Sequence, residues 1–134
     1  MTPASATQPA VTSTDTNVIW LQRLEGAAML GASIFAYAWL GQSWLIFAVL
    51  FLAPDLAMLG YLRSARVGTM SYNLVHTYMA PALLALAGLM LGPWAFGLAA
   101  IWIGHIGFDR MLGYGLKLGV SFDRTHLSPA GNKR

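Results

Sequence analysis

Glu25, Asp55 and Asp109 are three of the five acidic residues in the chain, and His76 and His105 are two of its three histidines. All five fall inside stretches otherwise long and apolar enough to cross a lipid bilayer. A charged group at mid-bilayer costs at least about 2–3 kcal/mol, so such residues normally face a protein interior and take part in function. Carboxylates beside imidazoles do acid/base chemistry or hold metal ions. His105 and Asp109 are four residues apart, which places them on one helical face, where the carboxylate can orient the ring and raise its basicity. Tyr72 and His76 repeat that spacing, with Asn73 one turn below His76.

Three chemistries fit these residues. The first is acid/base catalysis on a lipophilic substrate entering from the bilayer, with Asp109 and His105 as the working pair, His76 beside them, and Glu25 or Asp55 as a second acid. The second is metal or haem binding through His76, His105 and Asp109, although the Glu-x-x-His spacing of carboxylate-bridged dimetal bundles is missing. The third is a proton or ion pathway, or a small subunit of a membrane complex. Against all three stands a purely structural use, in which each polar group is an interhelical hydrogen-bond partner contributing about 0.6 kcal/mol. The residue pattern names no cofactor.

The elements that must carry these groups follow from composition. With 57% hydrophobic and only 10% charged residues, the chain departs from the roughly 25% charged content of an ordinary soluble domain. An integral membrane protein is expected, an all-α bundle of four transmembrane helices. The absence of cysteine excludes disulfides, thiolate catalysis and Cys-based metal sites. The expected partners are the bilayer, a lipophilic ligand, and a second copy or another membrane protein. Nucleic acid is not expected, because the Lys and Arg residues lie outside or near the ends of the apolar runs.

Residues 1–17, rich in Thr, Ser, Ala and Pro, read as a disordered tail. Residues 18–117 form the transmembrane domain, and residues 118–134 a polar C-terminal tail. Helices are expected over about 18–40, 44–62, 69–91 and 94–116, with Pro54 kinking the second and Pro81 weakening the third. Arg23, Arg63, Arg66, Arg110, Lys117, Arg124, Lys133 and Arg134 all fall on one side of such a bundle, which puts both termini in the cytoplasm. Helix rise then sets Glu25 and His76 about 9 Å deep, Asp55 and Asp109 about 12 Å and His105 about 18 Å from the cytoplasmic boundary. Tyr72, Asn73, Arg110, Tyr114 and Lys117 lie at similar or shallower levels and complete an expected polar pocket. Arg23 and Arg110 can also simply snorkel to the headgroups. Small residues at Gly97, Ala100, Gly104 and Gly107, and at Ala27 and Gly31, predict close helix packing.

Leu24-Glu-Gly26, Ala53-Pro-Asp-Leu56 followed by Met58-Leu-Gly-Tyr61, Tyr72-Asn-Leu-Val-His-Thr77 and the run from His105 to Lys117 together resemble the small bacterial membrane proteins grouped as domain-of-unknown-function family 4260. Phe122 and Thr125-His-Leu127 fit as well. The resemblance covers about residues 24–127. It implies a four-helix inner-membrane protein and marks Glu25, Asp55, Asn73, His76, His105, Asp109, Arg110, Tyr114, Lys117 and His126 as motif positions, without assigning any of them a role. His126 would reach the pocket mouth, with Asp123 and Lys117, if the tail folds back.

Overall fold

The computed structural model describes residues 13–118 and Leu127, and every element among them is helical. Helix α1 spans Ser13–Trp39, α2 Trp44–Leu50, α3 Ala65–Val75, α4 Met79–Leu91 and α5 Pro93–Leu112, with a 3₁₀ helix over Ala53–Leu62 between α2 and α3. Four long helical stretches are present where four were expected, but two of them are broken. Trp44–Leu62 is long and apolar enough to cross a membrane, and the α3–α4 pair passes the same test when its two bent halves are taken together. Helix α1 begins at Ser13, so residues 13–17, expected in the N-terminal tail, are helical.

Both breaks trace to proline. Pro54 has no N–H to offer the Leu50 carbonyl, so α2 stops at Leu50 and the chain continues in the tighter 3₁₀ form. Pro81 cannot donate to Thr77, and its ring crowds the preceding turn. The helix therefore parts at residues 76–78, upstream of the proline, and α4 restarts at a 43° bend with Pro81 in its first turn. Helix α3 starts earlier than the expected Thr69. Ser64 is extended, and its hydroxyl accepts from the Val67 N–H at 3.1 Å, capping the helix at Ala65. Helix α5 ends at Leu112, short of the expected residue 116, because Gly113 turns left-handed (φ 93°) and its N–H closes on the Arg110 and Asp109 carbonyls.

Two packing units hold these elements together. The antiparallel pair α1–α5 meets through glycines: a Cβ at Gly107 would lie 2.7 Å from the Gly26 carbonyl oxygen, and one at Gly104 would meet the Ser33 hydroxyl. The stripe anticipated on α5 is thus a helix contact, but its glycine partner on α1 is Gly26, while Gly31 faces open space. The second unit is a hairpin of the 3₁₀ helix and α3. Ser71 Oγ donates to the Ala57 carbonyl at 2.7 Å, and the Tyr61 and Thr69 hydroxyls share a 3.2 Å bond. Helix α4 returns along α5. An aromatic file, Tyr37, Trp44, Phe47 and Phe51, runs from the α1–α2 turn to the edge of His105.

Candidate metal centre

The break before Pro81 creates the site. In an unbroken helix the Val75 and His76 carbonyls would accept from the amides of residues 79 and 80. Here they are open, and α5 supplies the donors: Trp102 Nε1 to Val75 O at 2.8 Å and Arg110 Nη2 to His76 O at 3.3 Å. Buried carbonyls left unpaired are costly, so these two bonds draw the end of α3 onto α5. His76, the C-cap of α3, is thereby brought against His105 and Asp109. From the other side, the hairpin sets Asp55, in the first turn of the 3₁₀ helix, against the same point.

The result is a compact cluster. One donor atom from each of Asp55, His76, His105 and Asp109 lies within 4.8 Å of the other three. His76 Nε2 is 3.2 Å from His105 Nε2, 3.5 Å from Asp55 Oδ1 and 3.5 Å from Asp109 Oδ2. His105 Nε2 is 3.4 Å from Asp55 Oδ1 and 3.7 Å from Asp109 Oδ2. Both rings are almost fully buried, whereas the side chain of Asp55 is 41% exposed and that of Asp109 16%. The cluster is therefore closed on the histidine side and open at Asp55.

Its hydrogen bonding leaves an excess of acceptors. His76 Nδ1 lies 2.9 Å from the Tyr72 carbonyl; a carbonyl only accepts, so Nδ1 carries a proton, and in the neutral ring Nε2 presents a lone pair inward. Two carboxylates converge on the same space. The Tyr72 hydroxyl donates to Asp109 Oδ2 at 3.4 Å. His105 Nδ1 is buried with no hydrogen-bond partner among the described residues, and its ring is packed edge-on against Phe51.

Around the cluster, Tyr72 stacks on His76 with ring centroids 3.8 Å apart, and Lys117 Nζ sits 5.0 Å from the centroid of the Tyr72 ring. Lys117 is held there by Asn73, whose amide donates to the Lys117 carbonyl at 2.8 Å and whose Oδ1 accepts from the Lys117 N–H at 2.6 Å. Asp55, Tyr72, His76, His105 and Asp109 are thus brought together, with Asn73, Arg110 and Lys117 immediately outside. Glu25 and Tyr114 are not brought in: Glu25 is exposed on α1, and Tyr114 is 55% exposed beyond the end of α5. His126 and Asp123 lie outside the described residues.

Three contributors were not singled out from sequence. Trp102 left the signal of a ring donor three residues before His105 on the same helix, and Ser64 that of a cap residue at the start of a polar-to-apolar switch. Phe51 left no signal distinguishing it from other apolar residues.

The family model described as Domain of unknown function (DUF4260) matches residues 19–129. The chain belongs to this family. The match takes in Pro54 and Pro81, the hairpin and all four cluster residues. No curated protein and no solved structure matches the chain.

Proposed function

We propose that this DUF4260 protein is a membrane-embedded metalloprotein in which Asp55, His76, His105 and Asp109 hold one divalent transition-metal ion. The observation that carries the reading is the spacing of the donors. Four atoms placed tetrahedrally at about 2.0–2.2 Å from an ion lie about 3.3–3.6 Å from one another; the five separations that involve an imidazole run from 3.2 to 3.7 Å, and the two carboxylates lie within 4.8 Å of each other. The set of two imidazoles and two carboxylates suits zinc or another first-row divalent ion. The chemistry of the surroundings agrees: a carbonyl fixes the His76 tautomer, a tyrosine donates to Asp109, and an aromatic shell covers His105, the kind of outer support that ligating residues receive. Two carboxylates converging on one space beside two buried imidazoles are also stabilised by a cation held between them.

The acid/base reading uses the same residues but leaves the fourfold convergence without a purpose. A proton pathway would call for a chain of polar groups continuing across the bundle, whereas the halves of the helices beyond His105 are almost wholly apolar.

The membrane reading has separate support. Trp44–Leu62 is apolar enough to span and only 6% of it is buried. Phe35, Trp39, Leu45, Leu62, Leu89 and Met90 are each at least 70% exposed, a degree of apolar exposure suited to lipid. In our reading four passes cross the inner membrane, α1, α2 with the 3₁₀ helix, α3 with α4, and α5, with both termini in the cytoplasm and the metal centre in the cytoplasmic half.

The test is elemental analysis of protein purified without chelators, followed by titration of stripped protein with cobalt(II), whose visible spectrum reports coordination geometry. About one ion per chain, lost in His76→Gln and His105→Gln, is the expected result. A chain that carries no metal and gives no saturable cobalt spectrum overturns the proposal.

A further inference from the structure

The two histidines of the cluster are not equivalent. A ligating histidine nearly always donates its outer ring N–H to an acceptor, which fixes the tautomer that leaves the inner nitrogen bare. His76 does so: the Tyr72 carbonyl lies 2.9 Å from its Nδ1. His105 has no such acceptor. Its Nδ1 is enclosed, without a hydrogen-bond partner among the described residues, on a ring that is almost fully buried. At its other nitrogen, Nε2, the surroundings are the reverse. With His76 neutral, the His76 Nε2 lone pair is 3.2 Å away, Asp55 Oδ1 3.4 Å and Asp109 Oδ2 3.7 Å, and all three accept.

A neutral imidazole has one N–H to place. On Nδ1 of His105 it would be a buried donor with no acceptor, while the Nε2 lone pair faced three further acceptors; both halves of that arrangement are costly. On Nε2 the same proton meets acceptors on three sides. The empty cluster therefore selects Nε2–H at His105 and Nδ1–H at His76. An ion needs something else of His105, because Nε2 can ligate only through its lone pair.

We infer that His105 is a switching ligand, which carries its proton on Nε2 while the site is empty and on Nδ1 once Nε2 holds the ion. The inference rests on the metal centre proposed above and adds a regulatory device within it. The Nε2–H bond breaks and its proton passes to water on the exposed Asp55 side; the lone pair left on Nε2 binds the ion, and Nδ1 takes one proton from water. The charge of the ring is unchanged. The cost of a buried N–H with no acceptor then falls on the ion-bound state alone, so the switch acts against ion binding at His105, whereas His76 keeps one tautomer throughout.

The test is ring-nitrogen NMR of the full chain labelled at its histidine nitrogens, recorded metal-free and after loading with zinc(II), with zinc content measured on the same samples. His76→Gln and His126→Gln assign two of the three histidines by loss of signal, which leaves His105 identified in protein that retains it. In the metal-free protein His105 Nδ1 should resonate as a bare ring nitrogen and Nε2 as a protonated one, with His76 the other way round. Zinc should move His105 Nδ1 into the protonated range and leave His76 Nδ1 where it was. His105 Nδ1 already protonated without metal, or still bare in protein that holds zinc, would overturn the inference and leave the metal centre standing. If no zinc binds, the metal centre itself falls, and the inference with it.

Discussion

The α1–α5 pair and the 3₁₀–α3–α4 side of the bundle solve the same problem in opposite ways. Helices α1 and α5 are uninterrupted, satisfy their backbone groups internally, and meet through Gly26, Gly104 and Gly107. The other side is interrupted at Pro54 and Pro81, so its backbone carbonyls must find donors on neighbouring elements. Continuity gives close packing; interruption gives placement. The cluster lies where the two meet, with His105 and Asp109 on the continuous side and Asp55 and His76 on the broken one.

The comparison can be broken most severely at its packed half. Gly107→Leu would drive a side chain into the Gly26 carbonyl and the Leu30 amide, 2.7 and 2.8 Å from the new Cβ. A loss of about 3 kcal/mol or more is expected, read as a large fall in thermal unfolding temperature in detergent and in the yield of monodisperse protein. In metal-free protein His105→Gln should leave that temperature nearly unchanged, while cobalt binding weakens by about 100-fold or more because one of four ligands is removed. Metal binding in the parent protein should also weaken as pH falls, since protons compete for the imidazole and carboxylate ligands; cobalt titrations at several pH values measure this, and affinity independent of pH would contradict ligation by these groups.

Pro81→Ala separates placement from packing. It restores a donor for the Thr77 carbonyl and lets α3 and α4 approach one continuous helix, competing with the bonds from Trp102 and Arg110. Cobalt affinity should drop about tenfold, the range of an outer-support change, while thermal stability holds or rises. Equal loss of both would show that the bend is needed for folding rather than for positioning. The smallest effect is expected from Asn73→Leu, which removes the two bonds to the Lys117 backbone. About 1–2 kcal/mol of local stability should be lost, seen as faster amide exchange near Lys117, with metal affinity changed only a few-fold.

The apolar runs between polar connectors made the four helical stretches legible from composition and length alone, because backbone groups in an apolar setting must pair within a helix. The same reading made Asp55, His76, His105 and Asp109 candidates, since ionisable groups in apolar stretches are expensive wherever they point. Spacing identified the one intrahelical pair, His105 with Asp109. It did not separate Glu25 from the others: its expected level matches theirs, but Glu25 is exposed on α1, and the direction a residue faces depends on which neighbour its helix packs against. Nor did it show that Pro81 would open the helix at residues 76–78 rather than merely weaken one bond, or that Pro54 would convert the rest of its helix to the 3₁₀ form. The residue types and their approximate level thus came from the chain itself, through local hydrogen-bonding needs and the cost of burying charge. The convergence of four donor atoms came only with the tertiary structure, because it depends on carbonyls freed in one helix being met by donors from another, far away in sequence.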